Sequence, residues 1–285
     1  MNIDYQRVMT GLRDTPIGHT IIHHTTLSST MTAARCLAID HKIHSGTIVL
    51  AEEQTAGRGR LQREWVTPIG KALLMTVILK PAFPFHSQHY LPMIAGIALT
   101  DALEATVPVL CGQVALKWPN DVLLGDISSD RQKKVAGLLI ETVHQPSDDG
   151  TFSYVLLGIG LNVNQTSEEL PIVPVGKPQP TSIHLSAGHL IDREMLLKNL
   201  CEHIGRWLID PFADDQKCQL IYQTWRDRLC TLGQTVTCRL GDQKDARSYT
   251  GVAIDINPTG ALVIQDIDGQ CHTFAAGDVT LHKYV

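Results

Sequence analysis

The run Leu73 to Leu79 (LLMTVIL) is nearly all apolar, the pattern of a strand covered on both faces, and Pro81 and Pro84 end it. A strand of that kind needs a sheet with material packed above and below. Further runs can share the sheet: Gly46 to Ala51, Val114 to Leu116, Val135 to Val143 and Tyr154 to Val163, with turn residues Gly125-Asp126 and Ser147-Asp148-Asp149-Gly150 between the last three. The stretch Glu52 to Arg60 after the first of these has no apolar period and reads as a loop.

Helices supply the covering. Ser28-Ser29-Thr30 followed by Ala33, Ala34, Leu37 and Ala38 predicts a hydroxyl-capped helix. Ile94, Ile97, Ala98, Asp101, Ala102 and Ala105 recur at helical spacing up to Pro108. A proline-rich passage, Pro171 to Pro180, precedes a helix carrying Leu196, Leu197, Leu200, Ile204, Trp207 and Leu208, and a second helix covers Asp214 to Arg228. After Leu229 the texture changes to short strands broken by Asn257-Pro258-Thr259-Gly260 and Asp268-Gly269, as in a small β-barrel. The fold class is therefore α+β, with domains expected over 1–229 and 230–285.

With 285 residues, 44% of them hydrophobic and 19% charged, the chain can bury a core. A net charge of −5 gives no global attraction to nucleic acid or an anionic membrane, so any anion must meet a local cluster of cations. Seven cysteines without a CxxC pair indicate neither a disulfide framework nor a zinc site and fit a reducing cytosol. Met1 to Arg13 lacks an apolar signal core, and no window approaches a membrane span.

Five segments carry candidate chemistry. In Gly57-Arg58-Gly59-Arg60, glycines allow close backbone approach and two guanidiniums match phosphate or carboxylate oxygens. Trp65 nearby offers a face for a stacked base. Lys117-Trp118-Pro119-Asn120-Asp121 combines a phosphate-neutralising cation with amide and carboxylate oxygens that can hold Mg²⁺. In Lys133-Lys134-Val135-Ala136-Gly137, at the start of an apolar strand, one lysine can point inward toward a developing negative charge. Gly158-Ile159-Gly160-Leu161-Asn162 permits close ligand contact at a strand end. Taken singly, each also reads as ordinary structure: a solvated basic turn, a salt-bridged turn, an edge-strand charge, a bulge. No P-loop or complete GxGxxG is present, and His19, His23 and His24 lack metal-ligand partners.

Read in order, Ser29-Thr30, Gln54 to Arg60 with Trp65, Lys117 to Asp121, Lys134 to Gly137 and Gly158 to Asn162 closely resemble the biotin-protein ligase family, in its monofunctional type without an N-terminal DNA-binding domain. The resemblance implies a catalytic domain related to class II aminoacyl-tRNA synthetases, a mixed sheet flanked by helices, and an SH3-like C-terminal barrel whose last strand matches Ala276 to Leu281. It implies that biotin and MgATP give biotinyl-5′-AMP, and that biotin then passes to a lysine of a biotin carboxyl carrier protein.

By the same resemblance, biotin is bound by Ser29, Thr30, Gln54, Arg58, Gly59, Arg60, Lys134, Gly137 and Gly158. ATP is bound by Arg58, Arg60, Trp65, Lys117, Asn120, Lys134 and Asn162, with Asp121 a Mg²⁺ ligand. Lys134, Arg60 and Lys117 are the expected catalytic residues, and Ala56 to Arg60 the lid over the adenylate. Met31 departs from the family's common Asn. A cytoplasmic enzyme without specific DNA or membrane binding is expected, and an exposed strand edge leaves a homodimer open.

Overall fold

A computed structural model of the chain describes residues 3–40, 43–80, 89–126, 132–147, 150–174, 176–209, 215–241 and 247–282. Pro81, Pro84, Asp148, Asp149 and Asp214, invoked above as strand ends, turn and helix start, lie outside them.

Seven strands form the main sheet: β1 (Ile21–Leu27), β2 (Thr47–Gln54), β3 (Ala72–Leu79), β4 (Val114–Lys117), β5 (Asp121–Leu124), β6 (Lys133–Ser147) and β7 (Gly150–Asn162). Their order is β1-β2-β3-β7-β6-β5-β4, with β1 parallel to β2 and every other neighbour antiparallel. Among the described residues there are six α-helices: α1 (Tyr5–Gly11), α2 (Thr30–Ile39), α3 (Tyr90–Thr106), α4 (Ile183–Ala187), α5 (Arg193–Leu208) and α6 (Asp215–Asp227).

The two-residue repeat of the strands divides the core. Ile48, Leu50, Leu73, Met75, Val77, Leu157 and Ile159 pack on the face covered by α3 and α5, while Val49, Ile78, Tyr154 and Leu156 pack on the opposite face beneath Met31, Ala34 and Ala38 of α2. This explains the unbroken apolar run of β3, which is buried throughout.

A second sheet follows: β8 (Thr235–Leu240), β9 (Arg247–Ile256), β10 (Leu262–Gln265), β11 (Cys271–Phe274) and β12 (Asp278–Leu281), antiparallel in the order β11-β10-β9-β8-β12. Its interior joins the main core, and Trp118, fully buried, donates from Nε1 to the Gly260 carbonyl at 2.9 Å.

The structure corrects several sequence expectations. Glu52, Glu53 and Gln54 belong to β2, because β1, which was not anticipated, pairs with them; the loop begins at Thr55. Elements α1 and β5 were also not anticipated. Lys134 lies in β6, an interior strand, which removes the edge-charge reading. Pairing of β6 with β7 runs without a register shift past Gly158 and Gly160, so no bulge explains those glycines.

Candidate active site

A cleft of about 400 Å³ opens where β2 and β7 end and β6 begins, between the segment 57–66, the proline-rich segment and the start of β12. Every residue expected to bind substrate or act in catalysis lines it: Ser29, Thr30, Gln54, Arg58, Gly59, Arg60, Trp65, Lys117, Asn120, Asp121, Lys134, Gly137, Gly158 and Asn162. They come from segments far apart in the chain, so convergence on one cavity is not a consequence of sequence proximity.

One end of the cleft is neutral. Ser29 occupies the N-cap of α2, but its hydroxyl makes no cap bond. The expected hydroxyl cap is replaced by Gln54, whose Oε1 accepts from the Thr30 amide at 2.7 Å and the Thr30 hydroxyl at 3.1 Å. Thr76 in turn donates to the Thr30 hydroxyl at 2.9 Å, which fixes it. Met31 is buried and lies against the Gly158 floor, where a Cβ would come within 2.8 Å of its sulfur. The departure at position 31 therefore places a thioether over that glycine.

The other end is charged. Lys134 Nζ is 2.6 Å from Asp121 Oδ1, and Lys117 Nζ is 3.9 Å from Asp121 Oδ2. Burial raises the Asp121 carboxyl, yet Lys134 and Lys117 outweigh it and hold the group below its ordinary range. Burial lowers the Lys117 ammonium, opposed by Asp121. Lys117 also donates to the Val279 carbonyl at 2.7 Å, tying β12 to the site. Arg60 likewise falls by burial against the attraction of Asp121 and Asp278; it donates to Asn120 Oδ1 at 3.2 Å and the Gly277 carbonyl at 3.1 Å. Asn120 is held by its own bond to the Leu138 carbonyl at 2.7 Å. Asn162 is buried, donating to the Thr181 carbonyl and accepting from Gln165, so its amide anchors the wall of the cleft.

Between the two ends sits Trp65. The Trp65 amide donates to the Gly57 carbonyl at 2.9 Å and Gly59 donates to Arg63 at 2.8 Å, folding 57–65 back on itself through a tip where Leu61 and Gln62 have positive φ. The indole lies over Gly137 and Gly160; a Cβ on Gly160 would meet it at 2.7 Å. Lys134 Nζ is 5.5 Å from the ring centroid, and the indole Nε1 is buried without a partner. Arg58 reaches outward to Thr32 at 3.1 Å.

Four charged residues in the cleft were not anticipated: Arg63, Glu64, Lys177 and Asp278. Arg63 pairs with Asp278, one of its bonds measuring 3.1 Å. That contact joins residues on opposite sides of the chain and leaves no local pattern. Lys177 stands in a stretch read only as a separator.

Asp121, expected as a Mg²⁺ ligand, has its carboxylate between two ammonium groups, the setting of a counter-ion rather than of a dication ligand. No group of three or more His, Cys, Asp or Glu side chains able to hold a metal occurs among the described residues.

Residues 24–162 match the profile of the biotin/lipoate A/B protein ligase family, and residues 231–281 that of the biotin protein ligase C terminal domain. The chain is 35% identical to the bifunctional ligase/repressor BirA of Bacillus subtilis (strain 168), over 91% of this chain and 73% of that protein. It is 33% identical to the biotin--[acetyl-CoA-carboxylase] ligase of Paracoccus denitrificans, over 84% of this chain and 92% of the relative. A solved structure of biotin protein ligase from Aquifex aeolicus in complex with biotin and ATP superposes with a TM-score of 0.69 at 25% identity, covering 92% of this chain and 98% of that one. The chain belongs to the biotin protein ligases of the biotin/lipoate A/B protein ligase family.

Proposed function

We propose that the protein is an ATP-dependent biotin-protein ligase, forming biotinyl-5′-AMP from biotin and MgATP and transferring biotin to a lysine of a biotin carboxyl carrier protein. The observation that carries the reading is the polarity of the cleft, with hydroxyl and amide groups at one end and cations, Lys134 among them, at the other.

Ser29, Thr30 and Gln54 suit the ureido ring of biotin, which both donates and accepts hydrogen bonds; the free hydroxyl of Ser29 and the rigid Thr30–Gln54 pair are set for it. Gly137 and Gly158 admit the ligand close to the sheet backbone. The biotin carboxylate then reaches Lys134, which we assign to the charge that builds as carboxylate oxygen attacks the α-phosphorus. Arg58, Gly59 and Arg60 belong to the segment that closes over the adenylate, Trp65 offers its face to adenine, and Asn120 and Asn162 shape the nucleotide side. Lys117 contributes a fixed positive charge from beneath.

In the second step the amine of the carrier lysine attacks the mixed anhydride and AMP leaves, with no covalent enzyme intermediate. Catalysis is positioning plus electrostatic compensation. Mg²⁺ is assigned to ATP as part of the substrate, because Asp121 is engaged by lysines.

We read the chain as a class II synthetase-like domain over 1–229 and an SH3-like barrel over 230–285; the change from a helix-covered mixed sheet to a small antiparallel one supports this division. Any pairing of two copies through a sheet edge falls to β1, since the outer side of β4 is bonded to Arg228 and Cys230. We place the enzyme in the cytoplasm, where cysteines that form no disulfide among the described residues are at home; no described helix is long and apolar enough to cross a membrane.

The test is incubation with biotin, MgATP and a biotin carboxyl carrier domain. A streptavidin-reactive adduct that disappears when the acceptor lysine becomes arginine supports the reading; no adduct on a carrier that another ligase modifies refutes it.

A further inference from the structure

The proline-rich segment is fastened to β6 at Lys134 itself. The Lys134 amide donates to the Gln179 carbonyl at 2.8 Å, and the Thr181 amide donates to the Lys134 carbonyl at 2.8 Å, so the segment continues the sheet beside the residue assigned to the reacting phosphate. Pro178 is buried, and prolines at 171, 174, 178 and 180 restrict the backbone. A side chain carried here is held by a stiff strap rather than by a free loop.

That side chain is Lys177, half-buried in the cleft wall. Its ammonium makes no hydrogen bond or ion pair among the described residues, yet it lies within electrostatic reach of Arg63, Asp278, Lys134 and Asp121. Burial and the neighbouring Arg63 lower its pKa, so the site as it stands is unfavourable to this charge. At this end of the cleft the cations Lys117, Lys134, Lys177, Arg60 and Arg63 outnumber the carboxylates of Asp121 and Asp278, and the lining's further carboxylate, Glu64, stands on the strand-like bridge opposite Arg58. Asp121 and Asp278 are paired with Lys134 and Arg63, leaving Lys177 to face the cavity.

We propose that Lys177 is a catalytic residue of the adenylation step, binding the β- and γ-phosphates of ATP and the pyrophosphate they become. The inference rests on the ligase reading above. In that step a carboxylate oxygen bonds to the α-phosphorus, the bond from the α-phosphorus to the bridging oxygen breaks, and its electron pair leaves on pyrophosphate. A second cation at the charged end of the cleft, near Lys134, Arg63 and Asp278, meets the charge that departs. The carrier-transfer step expels AMP and does not call on it.

The experiment compares the full-length wild type with Lys177→Ala and Lys177→Arg. It measures the KM for MgATP, inhibition of adenylation by added pyrophosphate, and biotin transfer from preformed biotinyl-5′-AMP to carrier. Lys177→Ala is expected to raise the KM and weaken pyrophosphate inhibition, each by roughly three- to ten-fold, the scale of one charge-assisted hydrogen bond at a partly exposed site. Lys177→Arg should restore most of both. Transfer from the preformed adenylate should match wild type and certifies a folded variant. Unchanged KM and pyrophosphate inhibition in Lys177→Ala, with wild type active on biotin, would overturn the role of Lys177 alone. Wild type inactive with biotin would overturn the ligase reading and this proposal with it.

Discussion

Lys134 sits on an interior strand with its ammonium held 2.6 Å from Asp121, so its position is set before any ligand arrives. Lys134→Ala should slow biotinyl-5′-AMP formation by about 10²- to 10³-fold, the usual cost of losing one preorganised donor to a developing charge. Biotin binding should weaken but partly survive, since the carboxylate contact is lost while the ureido end, built from Ser29, Thr30 and Gln54, is kept. Single-turnover adenylation and biotin titration calorimetry check the two halves; near-wild-type adenylation would remove Lys134 from the mechanism. Residues such as Lys134, Arg60 and Trp65 were legible because their chemistry is concentrated in short segments that a sequence displays directly. Lys177 and Asp278 were not, because each gains its setting only when the strap or β12 is folded against β6 and the segment 57–65. The hydroxyl cap expected at Ser29 also failed for a tertiary reason, since Gln54 arrives from β2 to take that place.

The segment 57–65 is tied to the C-terminal sheet by Arg60 on the Gly277 carbonyl and by Arg63 on Asp278. A lid fastened in this way should release its adenylate faster when a tie is cut. For Asp278→Ala, escape of biotinyl-5′-AMP in a filter-binding chase should quicken by roughly two- to five-fold, because the Arg63 pair is partly exposed and such pairs contribute modestly. Arg60→Gly, which removes bonds to both Asn120 and Gly277, should have the larger effect; equal retention in both variants and wild type would contradict the latch. At this scale long apolar elements such as β3, β6, β7 and α3 could be read from periodicity. The elements that escaped are those without a buried pattern. Helix α1 buries Val8 alone, β1 (IIHHTTL) is an edge strand of mixed exposure, and β5 is four residues directly after a turn.

Across the whole molecule, α1, β1, β2 and α5 meet at Glu52. Its carboxylate accepts from Tyr5 and from Arg193, the latter at 2.7 Å, with His23 at 3.6 Å. Burial raises the carboxyl, but Tyr5, Arg193 and His23 together bring it below its ordinary value of 4.5. A depressed folded value means that Glu52 stabilises the fold fully above pH 4.5 and loses that contribution as pH falls through the folded value. Glu52→Gln should therefore be destabilised at pH 7 by about 2 kcal/mol, since it replaces the carboxylate that accepts the charge-assisted bond of buried Arg193, which keeps its bond to the Ala72 carbonyl. The deficit should shrink toward zero on acidification, as read from thermal or urea unfolding across pH; a deficit independent of pH would contradict the assignment. In the molecule as a whole the cleft lies between two joined sheets, and we assign to it the activation of biotin. The direct test is pyrophosphate release from MgATP by the purified protein, with biotin, lipoate and octanoate offered separately. The account predicts release with biotin alone; release with lipoate or octanoate in place of biotin, or with none of the three, would contradict it.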